Sequence, residues 1–231
     1  TQARQRETIF AEYILKFHPR FHGHKIPFYY NRLNRYPLEG GDVLILNKTT
    51  IAMGISNRTD PRAIEYFAEN LFKHNTEFQT ILAFNIPKSR AFMHLDTVFT
   101  QVDYGIFTIH PGIENKLTVF EITKNNERFD VAKTVGSLES VLEKHLKRPI
   151  TLVRCGGKDQ ITSVREQWND GANTLCIAPG KVIVYDRNHV TNQMLADAGV
   201  TVLEIESSEL SRGRGGPRCM SMPLFREDIE N

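Results

Sequence analysis

DVLILNKTTIAMGISNRTDPRAIEYFAENLFKHNTEFQTILAFNI, residues 42–86, sets two apolar runs around a polar Lys48-Thr49 turn, follows them with a helical pattern, and ends on a third apolar run. Runs 42–47 and 50–55 have the length and composition of strands and lie close enough to pair as a hairpin. Asp60-Pro61 puts a capping side chain before a proline suited to the first turn, so a helix is predicted over 60–72, and 80–86 reads as a third strand. The order is hairpin, helix, strand.

That order returns downstream. Residues 174–178 and 182–185 face each other across Pro179-Gly180, a helix is predicted over 191–198 with Gly199 ending it, and 200–205 is a strand. A looser copy lies between: strands 95–102 and 106–109, an inserted pair near 117–122 and 128–132, a helix 138–146 and a strand 150–153. Three units of one plan predict small α/β modules packed side by side, with a coincidence of common βα segments as the alternative. A further helix, 160–168, joins the second and third copies. Ahead of them, Ile9, Phe10, Tyr13, Ile14 and Phe17 fall at helical steps, predicting a helix over 4–17 with one buried face. His18-Pro19 stops it, and 21–37 reads as a long surface loop.

The 231 residues are 40% hydrophobic and 24% charged, an ordinary globular composition. A net charge of +2 with no Lys/Arg block gives no basic surface of the kind nucleic acid requires, and no run of membrane-spanning length exists. Cys155, Cys176 and Cys219 are too few for a disulfide framework and lack zinc spacing, so a reducing, cytoplasmic setting is expected. Asn47-Lys-Thr and Asn57-Arg-Thr match the glycosylation pattern and, without a signal peptide, are read as chance. The chain opens on Thr1 and runs directly into a helical pattern, so a fragment or processed product of a longer protein is expected.

Polar residues stand where propensity would not choose them. Each copy's first strand is preceded by, or opens on, such a group: Glu39-Gly-Gly-Asp42, His94-Leu-Asp96 and Asp170-Gly-Ala-Asn173. If the repeat holds, these ends converge on one pocket. The glycine pair before Asp42 serves equally well as a turn into a strand. His94 and Asp96 at alternate strand positions would share a face, which suits a base beside a carboxylate, a metal pair, or a plain surface strand. Cys176, within an apolar run, reads as a buried structural cysteine, and Cys155 as a strand-end one. Cys219 sits in GRGGPRCMSMP, residues 213–223, where flanking arginines are expected to lower its thiol pKa and glycines to let backbone approach a ligand. The alternative there is a mobile loop that happens to hold a cysteine.

Seven segments in order carry a family resemblance: ARQRET (3–8), LEGGDV (38–43), GISNRTD (54–60), KSRAFMHLDTVF (88–99), REQWNDGAN (165–173), YDRN with TN (185–192) and ELSRGRGGPRCMSMP (209–223). Together they resemble arginine deiminases. The resemblance implies the pentein fold, a propeller of five ββαβ modules around a central site, with the 231 residues as the C-terminal portion of a single catalytic domain and the first modules absent. It further implies hydrolysis of free L-arginine to L-citrulline and ammonia, without metal or organic cofactor, through a covalent amidino-cysteine. In that pattern Cys219 matches the nucleophile and His94 the general acid and base. Glu39 matches the carboxylate that orients His94, and Asp96 one that grips the guanidinium. Arg4 and Arg58 match the residues that meet the substrate carboxylate, and Arg214 a loop arginine closing over the site, while Asp42 is placed with the substrate-binding residues. Arg218 has no matched role.

The family's second guanidinium-binding aspartate lies in an FTRDP-type segment upstream of ARQRET, so the isolated chain is expected to be inactive or severely impaired. The full-length protein is expected to be a homo-oligomer. Two other readings stand beside this one: another guanidine-modifying pentein of amidinotransferase or dimethylarginine hydrolase type, and a non-catalytic pentein-fold module.

Overall fold

In the computed structural model the described residues are 4–74, 76–89, 91–114, 116–126 and 128–227. In chain order the regular elements begin with α1 (Glu7–Phe17), β1 (Val43–Ile45), β2 (Thr50–Ile55), α2 (Pro61–Lys73) and β3 (Thr80–Asn85). The second group is β4 (Phe99–Gln101), β5 (Ile106–Ile109), α3 (Pro111–Glu114), β6 (Thr118–Asn125), β7 (Arg128–Lys133), α4 (Leu138–Leu146) and β8 (Thr151–Arg154). The chain continues through α5 (Gln160–Trp168), β9 (Leu175–Ala178), β10 (Lys181–Tyr185), α6 (His189–Asp197) and β11 (Thr201–Ile205).

Three ββαβ modules result, and their topology is the same. β1 pairs antiparallel with β2, which pairs parallel with β3; β4, β5 and β8 repeat this, as do β9, β10 and β11. In each, a helix carries the chain back to begin the parallel strand, the connection such a pair requires. α2 shows how local chemistry sets this up. The Asp60 carboxylate accepts from the Arg62 N–H, Pro61 occupies the first turn, and Ala63, Ile64, Ala68, Leu71 and Phe72 form the buried stripe. Full burial of side chains such as Ile64, Leu71 and Phe72 contributes roughly 1.5–3 kcal/mol each.

The inserted β6–β7 hairpin does not extend its own module. It adds to the first sheet, where β6 pairs antiparallel with β3, giving the order β1-β2-β3-β6-β7. The first two modules also share a core. Phe84, Phe99 and Phe107 stack in series with ring centroids 5.2 and 4.9 Å apart. The described residues form three separate sheets and no closed barrel or ring. Among them, no helix is long and apolar enough to cross a membrane.

Three expectations change. The apolar stripe of α1 is present, but none of its residues is buried; Arg32 reaches the helix at the Glu12 carboxylate, off the stripe. The strand expected over 95–102 starts only at Phe99: residues 95–97 make a 3-10 turn, fixed by the Asp42 carboxylate accepting from the Leu95 N–H and by the Thr97 hydroxyl donating to the His94 carbonyl. His94 and Asp96 therefore do not occupy alternate positions of a strand. Finally, Cys176, expected to be buried, is exposed, its strand β9 being open along most of its length, while Cys155, at the end of β8 as expected, is fully buried.

Candidate active site

The polar groups that precede the modules do converge. Glu39, His94, Asp96 and Cys219 line one broad open cleft, together with Arg4, Arg214, Arg218 and Asp170. Glu39, His94, Asp96 and Asp170 are delivered by short irregular segments ahead of a first strand, Arg4 by the residues before α1, and Arg214, Arg218 and Cys219 by the chain beyond β11.

His94 Nε2 stands 2.8 Å from Glu39 Oε2. Burial pushes the Glu39 carboxyl up, the hydrogen bond to His94 pulls it down, and the group stands below the usual carboxylate range. This places a fixed carboxylate behind an imidazole, the arrangement that orients a general acid or base. Close approach is needed: a Cβ on Gly41 would lie 2.8 Å from His94 Cγ, so the second glycine of the LEGGDV segment leaves room for the imidazole. Arg4 NH1 lies 3.3 Å from Glu39 Oε2 and Arg58 NH1 3.8 Å from Glu39 Oε1, so both arginines lean toward the same carboxylate.

Asp42 behaves differently from its expected place among substrate contacts. It is fully buried, does not line the cleft, and accepts hydrogen bonds from Ser56 Oγ at 2.7 Å and from the Leu95 N–H at 2.8 Å. Burial raises its carboxyl pKa. Its observed work is to hold the turn that carries His94 and Asp96. Arg58 is also absent from the cleft wall, with its guanidinium near Glu39 and Met93 Sδ.

Asp96 is 1% exposed and its two oxygens differ. Oδ2 accepts from Arg218 NH1, whose partner nitrogen NH2 donates to the Val43 carbonyl at 3.0 Å. Oδ1 is buried with no hydrogen-bond partner among the described residues. An unsatisfied carboxylate oxygen in such a position costs free energy that a cationic N–H donor would recover. Cys219 Sγ lies 3.9 Å from Asp96 Oδ2.

The thiol contradicts the expectation that flanking arginines make it acidic. Burial pushes the Cys219 pKa up to about 12, and the carboxylates of Asp96 and Asp170 add to the rise. Arg218 does oppose it, but spends its guanidinium on Asp96. The residue is exposed toward the cleft while protein surrounds the sulfur on its other sides, so the thiol is reachable yet protonated at neutral pH. Arg214 adopts φ +56° with its guanidinium 5.8 Å from the Trp168 ring centroid, at the cleft wall.

Two residues assigned no role from sequence prove central to the geometry. Arg218 pairs with Asp96, and Asn173, fully buried, bonds to both Asp96 and Cys219 through its side-chain amide. Asn173 closes the third polar group, but an asparagine before a strand has an ordinary turn explanation. Arg218 stood next to Cys219 in plain sight, and only its direction was hidden. Among the described residues no cluster of three His, Cys, Asp or Glu could hold a metal ion.

A family model described as arginine deiminase matches residues 1–226. The arginine deiminase of Clostridium perfringens is 58% identical over 234 residues, covering 99% of this chain and 56% of that protein. That of Bacillus cereus is 52% identical over 232 residues, covering 98% of this chain and 57% of that protein. The chain thus spans little more than half the length of these relatives. Among solved structures, an inosamine-phosphate amidinotransferase from Streptomyces griseus superposes with a TM-score of 0.59 at 14% identity, over all of this chain and 64% of that one. A cyanobacterial arginine dihydrolase superposes with a TM-score of 0.55 at 20% identity, over 84% of this chain and 24% of that one. At those identities the likeness is one of fold.

Proposed function

This chain belongs to the arginine deiminase family, and we propose that the protein hydrolyses free L-arginine to L-citrulline and ammonia through a covalent intermediate on Cys219. The observation that carries the reading is the buried Oδ1 of Asp96, without a hydrogen-bond partner among the described residues, on the carboxylate whose other oxygen lies 3.9 Å from a reachable thiol. A guanidinium is the planar cation that fits such a carboxylate, and binding there sets its carbon beside the sulfur.

The chemistry then follows from charge. In the free protein the thiol is held protonated by burial and by neighbouring carboxylates. The substrate cation neutralises those carboxylates and so favours the thiolate at the moment it is needed. The thiol proton passes to His94, sulfur bonds to the guanidinium carbon, and a tetrahedral adduct forms. The bond from carbon to a terminal nitrogen breaks as His94 gives its proton to the departing ammonia, leaving an amidino group on sulfur. His94 next takes a proton from water, the oxygen adds to the same carbon, and the carbon–sulfur bond breaks. The hydroxyl proton is released to solvent as the carbonyl forms, His94 returns its proton to Cys219, and citrulline leaves. Glu39 orients His94 throughout.

Arg4, on the cleft wall, takes the α-carboxylate of the amino acid, Arg58 turns from its place beside Glu39 to join it, and Arg214 closes over the bound substrate. Asp42 serves by holding the His94–Asp96 turn. The three modules are part of a five-module pentein ring, and the protein works in the cytoplasm as a homo-oligomer. The test is product analysis on the full-length protein with arginine, agmatine and methylated arginines. Equimolar citrulline and ammonia from arginine, lost in Cys219→Ser, are expected; a preference for agmatine, or transfer of the amidino group to an amine, overturns the assignment.

A further inference from the structure

Asn173 ends the segment between α5 and β9 and is fully buried. Its Nδ2 donates to the Asp96 carbonyl at 2.9 Å, and its Oδ1 accepts from the Cys219 N–H at 3.0 Å. Only one orientation of the amide satisfies both partners, since a flip would set N–H against N–H and oxygen against carbonyl. One side chain thus ties together two backbones that are 123 residues apart in sequence.

The surrounding contacts fit the same task. A Cβ on Gly216 would meet Asn173 Oδ1 at 2.6 Å and Asn173 Cβ at 2.7 Å, so the Cys219 turn packs directly on this residue. The Tyr185 hydroxyl donates to the Gly215 carbonyl at 2.8 Å, seating the turn on the third sheet. A second link between Cys219's neighbourhood and Asp96 exists, the Arg218 ion pair, but it uses the Asp96 carboxylate. A substrate cation on Oδ1 of that carboxylate neutralises the charge that holds Arg218. The amide link uses the Asp96 carbonyl instead, and is indifferent to what the carboxylate binds.

We propose that Asn173 is the positioning residue that sets the distance between Cys219 and Asp96, and that keeps it set when the substrate cation takes the Oδ1 side of the Asp96 carboxylate. The proposal rests on the deiminase reading for its consequence in turnover, though not for its geometry. Attack on a guanidinium carbon needs the sulfur within about 3–3.5 Å and aligned, and a displacement of about 1 Å costs on the order of 10²-fold in rate.

The experiment, on the full-length protein, compares wild type with Asn173→Ala and with Gly216→Ala, which pushes on the same contact from the other side and covers a failure of the first variant to fold. Two quantities are read: kcat and KM for arginine per titrated Cys219, and the ratio of Cys219 alkylation rates by cationic 2-chloroacetamidine and neutral chloroacetamide, followed by intact mass. Titration removes misfolded protein from the comparison. Expected are a kcat per titrated site about 100-fold lower with KM changed less than threefold, and an amidine-to-amide ratio at least tenfold lower with the neutral rate nearly unchanged. A variant whose kcat per site and ratio both stay within threefold of wild type overturns the proposal. If wild type forms no citrulline, the deiminase reading falls, while the alkylation ratio still decides whether Asn173 sets the Cys219–Asp96 geometry.

Discussion

Replacing Asp96 by asparagine removes a negative charge 3.9 Å from Cys219 Sγ while keeping the shape of the side chain. Two unit charges at that distance interact by about 4 kcal/mol at an effective dielectric of about 20, and by about 1 kcal/mol in water. At 1.36 kcal/mol per unit, this corresponds to a fall in the thiol pKa of about one to three units. The exposure of Cys219 to the cleft favours the lower half of that range. Arg218, freed from its pair with Asp96, acts in the same direction. A thiol of lower pKa is more ionised but intrinsically less nucleophilic, so each unit yields a net gain of roughly threefold at fixed pH. Asp96→Asn should therefore alkylate with iodoacetamide about 3- to 10-fold faster at pH 8, with Cys219→Ser as the blank, while arginine turnover falls by 10²-fold or more. Greater thiol reactivity with less catalysis separates a carboxylate that grips substrate from one that merely stabilises the fold. An unchanged or higher thiol pKa in this variant would refute the electrostatic account of the site.

Gly41→Ala puts a Cβ 2.8 Å from His94 Cγ and 3.1 Å from Asp96 Oδ1, so a loss of about 1–3 kcal/mol in stability and a larger loss in kcat are expected from denaturant titration and citrulline assay. Asp170 is raised to about 6, chiefly by burial with Asp96 adding to it. Its folded pKa exceeds the unfolded value of about 4, so its contribution to stability is full below about pH 4 and is lost as pH rises to about 6. Asp170→Asn should flatten that part of the stability curve in urea melts between pH 4 and 7. Phe99→Ala removes the middle ring of the stack joining the first two modules, and a loss of about 3–5 kcal/mol is expected from thermal or urea unfolding.

Much of the fold was legible because its signals are local. The Asp60 cap with Pro61, the Ser137 cap of α4, and Gly199 at φ +85° beyond α6 each act within a turn of the residues they fix. The hairpin, helix, strand order came out correctly in all three modules for that reason. Where a neighbour from elsewhere decides, pattern alone misleads. Residues 95–102 have the apolar and β-branched content of a strand, but the Asp42 carboxylate, more than fifty residues earlier, bonds the Leu95 N–H and turns the chain over 95–97. The stripe on α1 is amphipathic by any count, yet a stripe states only that a face could be covered, not what covers it.

The sequence by itself offered the groups able to carry chemistry, because side-chain type is a property of the letter: a thiol, an imidazole and carboxylates at Cys219, His94, Glu39 and Asp96. It also determined that they belong to modules of one plan. Only the tertiary structure decided their states and partners. Whether Cys219 is acidified by the arginines beside it or held protonated depends on where each guanidinium points, and Arg218 points at Asp96. Asp42 and Asp96 are both buried aspartates near one another in space, and one holds a turn while the other keeps an oxygen without a partner. Coulombic and hydrogen-bond energies depend on distances of a few ångströms between residues far apart in the chain, and those distances are set by packing.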